Sequence, residues 1–286
     1  MIEYKTIEKY LKSLKVGFIG GGNMASAIGA GLIRKGVLNP DNIWVSGRTN
    51  RTHEFWKDLG AHFTLKNNEV VNNCEVIFLT VKPNILDDAL KTIPKVSGEK
   101  LENKLFVSVM AGVPLEVLHT KLSAVVTAPR VIRSLPNTPM MVGEGITVYS
   151  SENAEQEDLE LIDVLFSYIG MSQNIPESLM NATGSLTGCS PAFAYIIIEA
   201  LADGAVRRGV PRPMATKFAA QVLIGAGKMV LETGRHPGQL KDEVCSPGGT
   251  TIAGVHALEV GGVRGSMMNA ITASVDKTNE LTSLSK

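Results

Sequence analysis

Two short stretches of this chain place small residues at the start of a helix, an arrangement in which the backbone itself can do chemistry. One is Ser246-Pro247-Gly248-Gly249-Thr250-Thr251, followed by a run through Ile252, Val255, Leu258 and Glu259 with helical rather than strand spacing. Glycines just ahead of a helix leave backbone N–H groups unengaged. Those donors, with the positive end of the helix dipole, attract a carboxylate or phosphate. A Gly-Gly turn also serves as plain punctuation between elements, and taken alone the segment allows both readings. The other stretch is Gly20-x-Gly22-x-x-Ala25, which follows the apolar KVGFIG and opens GGNMASAIGAGLIRKG. A strand feeding such a turn and then a helix is the setting of a dinucleotide fingerprint. Gly20 permits the tight turn, Gly22 lets a pyrophosphate approach the backbone, and Ala25 lets the helix pack on the strand. Ile19, Gly20, Gly21, Gly22, Asn23 and Met24 are therefore the expected cofactor turn.

The elements that must position these residues alternate through the first half of the chain. NIWVSGRT (42–49) reads as the second strand, and its end distinguishes the nicotinamide cofactors. An acid about twenty residues beyond the glycines would take the ribose 2′-hydroxyl of NAD, whereas a 2′-phosphate needs cationic or hydroxyl donors. Ser46, Gly47, Arg48 and Thr49 stand there with Arg51 nearby and no acid, which favours NADPH and leaves NADH possible. NCEVIFLTVKP and LFVSVMAGV read as buried strands. Ligands of doubly wound sheets bind beyond the carboxyl ends of strands, so Thr80, Val81, Lys82 and Pro83, with Val109, Met110 and Ala111, are expected on the nicotinamide side. Lys82 is either a catalytic acid or a solvated charge; its place before a proline favours a part in shaping the cleft. PRVIRSLPNTP and GITVYS supply further strands, with a rigid turn at RSLPNTP that is structural or substrate-facing, and LELIDVLFSYIG a helix.

After about residue 175 the strand signals stop. Ser190-Pro191 reads as an N-cap with proline at the first helical position. The helix it opens carries Phe193, Ile197, Ala200, Leu201 and Gly204 on one face. The next places Met214, Phe218, Val222, Gly225 and Met229 along one side, read as core rather than as a cofactor box. A helical half so rich in small residues points to helices packing against a copy of themselves. HALEVGGV and a last helix from about Arg264 to Leu281 complete it.

At 286 residues, 44% of them hydrophobic, the chain has material for one large or two ordinary domains. Its 28 basic and 28 acidic side chains balance, so nothing in the charge points to nucleic acid or an acidic membrane. Cys74, Cys189 and Cys245 have neither metal-ligand spacing nor an even count, which argues against zinc and a disulfide framework and for a reducing compartment. No apolar run is expected to reach the ~20 residues that span a bilayer. The opening MIEYKTIEKYLKSLK carries acids and lacks arginine, and reads as a helical extension rather than a targeting peptide. The cytoplasm is the default location, with a mitochondrial one left open.

FIGGGNMA, LTVKP, APRVIRSLPNTP, GEGITVY, ADGAVRRGVPR, HPGQLKDEVCSPGGTTI and HALE together resemble the pyrroline-5-carboxylate reductases, from about Lys15 to Leu281. The resemblance implies an N-terminal extension (1–14), a Rossmann domain (15–175) and an all-helical dimerisation and substrate-binding domain (176–286). It implies homodimers that assemble further, commonly to decamers, and NAD(P)H-dependent reduction of a cyclic imine to L-proline. Ser246, Pro247, Gly248, Gly249 and Thr250 would cradle the substrate carboxylate, and Thr251 would hydrogen-bond the imine nitrogen. Asn67 matches an asparagine at the adenosine half of the cofactor, and Glu243 a position near the nicotinamide that is often asparagine. Gly188-Cys189-Ser190-Pro191-Ala192 departs from the family's usual Gly-Ser-Gly-Pro-Ala. The rival readings are a related imine or 3-hydroxyacid reductase and a non-catalytic NADP-binding protein. The 3-hydroxyacid enzymes use a lysine where PAFAYIIIEALADGAV has none, and the intact SPGGTTI segment and glycine turn count against the silent one.

Overall fold

The computed structural model describes residues 2–93 and 104–285. Its sheet grows from short runs that are apolar at successive positions, the pattern of strands covered on both faces. β1 (Val16–Ile19), β4 (Val76–Leu79) and β5 (Leu105–Ser108) are buried throughout. β2 (Ile43–Ser46) and β3 (His62–Thr64) lie to one side, and β6 (Arg130–Pro136), β7 (Gly145–Ser150) and β8 (Gly170–Asn174) to the other. The order is β3-β2-β1-β4-β5-β6-β7-β8, and every pairing is parallel except β6 with β7.

Register decides which side chains meet. Phe18, Phe78, Val107 and Ile132 stand side by side on one face, and Ile77, Phe106 and Val131 on the other. The first row packs under α1 (Ile2–Ser13), α2 (Asn23–Arg34), α3 (His53–Asp58) and α7 (Gln156–Ser167). The second packs under α4 (Asn67–Asn73), α5 (Leu86–Lys91) and α6 (Leu115–Ser123). Helices on both faces make this a doubly wound sheet, as expected. Trp56 is fully buried, stacks on Phe18 at 5.8 Å and donates Nε1–H to the Gly21 carbonyl at 3.1 Å. It ties the cofactor turn to the core.

The all-helical part is α8 (Met180–Val206), α9 (Arg212–Thr233), α10 (Pro237–Glu243), α11 (Thr250–Val260) and α12 (Val263–Ser285). The chain forms two compact units, residues 1–188 with 275–286 and residues 189–274. The division falls inside α8 because the start of that helix and the end of α12 pack with the sheet. Asn181 bonds Arg133, Asn279 and Thr282.

Three expectations are corrected. Ser190-Pro191 does not open a helix; Pro191 lies well inside α8. Proline leaves the carbonyl four residues earlier without its helical donor, and here that carbonyl, on Thr187, is met from outside the helix by Asn137 Nδ2 at 3.0 Å. The Met214, Phe218, Val222 and Met229 stripe is not core of this chain, since these side chains are 47, 56, 61 and 49% exposed. The second unit's own buried cluster is only Ala202, Ala215 and Ala219, too thin to cover that stripe. Finally, one helix, Glu177–Val206, is by length and composition long and apolar enough to cross a membrane, although no apolar run of that reach was expected.

Trp56→Phe removes the bond to Gly21 and leaves a small gap where the larger ring packs beside Gly29. It should destabilise the protein by about 1–3 kcal/mol in urea unfolding and weaken nucleotide binding as well. An unchanged midpoint would show that the turn does not depend on this anchor.

Candidate functional site

The glycine turn between β1 and α2 is built in two halves. Gly20 has φ +105°, and a Cβ there would sit 3.0 Å from the Thr80 carbonyl, so no other residue fits without strain. The Gly20 and Gly21 amides both donate to the Ser46 carbonyl, at 3.1 and 2.8 Å, and Thr80 Oγ1 donates to the Gly20 carbonyl at 2.7 Å. The turn is thus satisfied internally as far as Gly21. From Gly22 onward it opens outward. A Cβ on Gly22 would meet nothing within 4 Å, no side chain caps α2, and its first turn carries no acid. The leading amides of a helix have no intrahelical partner, so Asn23, Met24 and Ala25 present donors to that opening. A pyrophosphate fits this cradle by charge and by room. Ala25 is fully buried under the helix, as its small size predicts.

The remaining predicted cofactor residues of the first unit gather at the same edge. Ile19 pairs with Ser46 and with Leu79, and Leu79 with Ser108, which brings the ends of β1, β2, β4 and β5 level. Arg48 and Thr49 are exposed at the end of β2 with Arg51, and neither arginine forms an ion pair among the described residues. Ser46 points inward instead: its hydroxyl donates to Asn67 Oδ1 at 2.6 Å. Asn67 Nδ2 donates to the Ala89 carbonyl at 3.0 Å and to Thr92 Oγ1 at 2.9 Å, so the carboxamide expected at the adenosine is engaged by the protein. Lys82 is exposed and precedes the short helical turn Pro83–Ile85. Met110 is buried in the core on one face and Val109 packs against that of the other. Pro83 and Ala111 line a cavity of about 330 Å³ with Asn84, Gly112 and the Asp87–Lys121 ion pair.

The second unit holds the other cradle. Gly249 is the N-cap of α11, and its amide closes a turn onto the Ser246 carbonyl at 3.0 Å. Gly248 adopts φ +68°, the left-handed region, with nothing within 4 Å of where a Cβ would lie. The first turn of α11 has no acid, and the hydroxyls of Ser246, Thr250 and Thr251 have no hydrogen-bond partner among the described residues. Three exposed hydroxyls thus stand beside uncapped helix amides, where the helix dipole favours negative charge and each hydroxyl can donate or accept a hydrogen bond. Glu243, at the end of α10, is held by Arg235, whose Nη1 donates to it at 2.9 Å; that bond keeps the carboxyl below its ordinary pKa.

The family described as "Pyrroline-5-carboxylate reductase dimerisation" matches residues 177–281, and the one described as "NADP oxidoreductase coenzyme F420-dependent" matches residues 15–112. Pyrroline-5-carboxylate reductase 2 of Rattus norvegicus is 42% identical over 274 residues, which span 95% of this chain and 85% of the relative. The chain belongs to the pyrroline-5-carboxylate reductase family. The reductase of Methanosarcina acetivorans is 41% identical over 95% of this chain and 99% of its own. A crystal structure of the Plasmodium falciparum reductase with NADP bound matches with a TM-score of 0.83 at 28% identity, over 95% of this chain and 99% of that one. That of the Coxiella burnetii reductase matches with a TM-score of 0.84 at 31% identity, over 94% and 99%. Reductive aminase of Aspergillus terreus, at 18% identity and a TM-score of 0.56, shares the fold alone. The dimerisation match covers α8 to α11 and most of α12, the helices that carry the long apolar segment and the exposed stripe on α9.

Some supporting residues escaped sequence reading. Trp56 gives no signal beyond being a large aromatic in a polar stretch. Arg133, buried on β6, donates Nη1–H to Glu177 at 2.5 Å and Nη2–H to Asn181 at 2.7 Å. An arginine at a central position of a strand with apolar neighbours Val131, Ile132 and Leu135 was the available sign of a buried partner.

The two glycines make a paired prediction. Gly20→Ala should lower both stability and NADPH affinity, while Gly22→Ala should leave the unfolding midpoint nearly unchanged and weaken NADPH binding about tenfold or more, because the methyl occupies the phosphate's approach. Fluorescence titration with NADPH beside urea unfolding separates the two effects. Equal NADPH affinity for Gly22→Ala and wild type would remove that turn from the cofactor site.

Proposed function

We propose that this chain reduces 1-pyrroline-5-carboxylate to L-proline with NADPH, and that Ser246 to Thr251 form its substrate cradle. The observation that carries the reading is the α11 N-terminus, preceded by two glycines, acid-free, and beside three hydroxyls that have no hydrogen-bond partner among the described residues. The substrate has one carboxylate next to one imine, and the cradle offers backbone donors for the first and a hydroxyl for the second. The cofactor supplies the hydride that adds to the imine carbon.

The protein's own contribution is placement. The Gly249 cap and the amides that follow it hold the carboxylate, where the helix dipole favours negative charge. The Thr251 hydroxyl bonds the nitrogen that becomes the amine, orienting the ring and supporting the proton it keeps. A cyclic imine is basic enough to carry that proton near neutral pH, so a strong acid is not required and orientation is the larger effect. Gly248 keeps the turn low, since a side chain there would be strained and would stand over the bound acid. On the first unit, the α2 amides take the pyrophosphate and Arg48, Thr49 and Arg51 take the 2′-phosphate of NADPH. NADH binds the same turn without that contact. Glu243 is assigned to the nicotinamide side, oriented by Arg235. Asn67 acts at the adenosine half, chiefly by fixing Ser46 and the end of β2.

The apolar faces of the second unit, among them Tyr195, Ile196, Phe218 and Val222, pack against a second copy, and the dimers assemble to a decamer. The same surfaces account for the apolar reach of α8 without a bilayer. Free Cys74, Cys189 and Cys245 fit a reducing compartment, and the cytoplasm is the assigned location.

Thr251→Ala should lower kcat for the imine about 100-fold while leaving NADPH affinity unchanged. An unaltered turnover would take Thr251 out of the mechanism. In the Arg48→Ala, Arg51→Ala double variant, KM for NADPH should rise about 10–100-fold and KM for NADH should not move, as expected for loss of charge-assisted bonds to one phosphate. Parallel increases for both cofactors would place the 2′-phosphate elsewhere.

A further inference from the structure

Arg133, Leu135 and Asn137 alternate along β6 and its exit, and each meets α8 one step further along a single helical face. Arg133 bonds Asn181, Leu135 lies where a Cβ on Gly184 would have to go, and Asn137 bonds the Thr187 carbonyl. Positions two apart on a strand and three apart on a helix each share a face, so the three contacts form one continuous seam. All of them belong to the first compact unit, which ends at Gly188.

The last contact of the seam differs from the others in its chemistry. In an unbroken α-helix the Thr187 carbonyl would accept the amide of residue 191, but that residue is Pro191 and has no N–H. Asn137 Nδ2 takes the place of the missing donor at 3.0 Å, while Asn137 Oδ1 accepts the Ile146 amide of β7 at 2.9 Å. The side chain is buried, and its two bonds fix both its position and which end is the amide. The carbonyl it holds and the proline that releases that carbonyl lie on either side of the division between the units.

We propose that Asn137 is a positioning residue for the reduction: by replacing the helical bond that Pro191 cannot make, it holds α8 to one course at the proline. The catalytic consequence rests on the reductase reading; the coupling between Asn137 and Pro191 does not. A helix with proline inside it bends or loosens unless its freed carbonyl finds another partner. Asn137 gives that point one geometry instead of several.

The test is a double-mutant cycle of Asn137→Ala and Pro191→Ala, read by turnover, NADPH binding and urea unfolding. Asn137→Ala should cut kcat roughly tenfold, the size of one buried hydrogen bond, without changing NADPH affinity. In the Pro191→Ala background residue 191 regains its amide and can serve Thr187 itself, so adding Asn137→Ala should cost distinctly less. The bond to Ile146 is lost in both backgrounds and cancels. Asn137→Asp provides a check with the proline in place. It keeps the acceptor for Ile146 but donates to the Thr187 carbonyl only when protonated, so its activity relative to wild type should rise as pH falls. Equal cost of Asn137→Ala in both backgrounds, or an Asn137→Asp profile parallel to wild type, overturns the proposal. If the wild type did not reduce the imine at all, the reductase reading would fail while the unfolding cycle still reported the coupling.

Discussion

One carbonyl, that of Ser46, accepts the amides of both Gly20 and Gly21, and this fork determines where α2 can begin. It uses up the first two donors of the turn within the sheet, so the helix presents its free amides only from Gly22 outward. The fork exists because β1 and β2 are in register at Ile19 and Ser46, and Ser46 is itself held by Asn67. Thr80 and Trp56 brace the same turn from the β4 and α3 sides. A single well-placed acceptor thereby sets the position of a whole helix dipole relative to the sheet.

The two compact units arrive at the same device by different routes. In each, glycine precedes a helix whose first turn lacks an acid, so what the N-terminus offers is backbone amides and the dipole rather than side-chain charge. That is consistent with a chain whose formal charge is zero overall and whose selectivity is local. The difference lies in what surrounds the amides. Around α2 the neighbours are strand ends that extend a nucleotide cleft, and around α11 they are hydroxyls suited to one small polar ligand.

How much of this was legible follows from the range of each interaction. Gly20, Gly22 and Ala25 could be read in order because their roles depend on neighbours a few residues away, and β1, β2, β4 and β5 because they are continuously apolar. β3 and β8 gave no signal: they are short edge strands, and GMSQN in β8 is mostly polar. Pro191 was read by the local rule that places proline at a helix start. The donor that overrides the rule, on Asn137, lies fifty residues before the Thr187 carbonyl that it serves. The apolar stripe on α9 has the spacing of a core face, and spacing cannot tell burial within a chain from burial between chains. Asn67 was assigned to the cofactor by its match to a motif, and only the structure shows both its amide hydrogens already engaged.

The division of the chain also bears on synthesis. The sheet-bearing unit is not contiguous: residues 275–286 return to it after the whole helical unit has been made, and Leu281 lies against Gly112 at the end of β5. A ribosome therefore releases nearly everything needed for the nucleotide-binding half long before the segment that finishes it. Until α12 emerges, Gly112 lacks its neighbour Leu281, and the cavity beside Pro83 and Ala111 lacks the wall that Leu281 and Leu284 supply. Vectorial folding of the N-terminal half can approach completion but must wait for that last helix to close it.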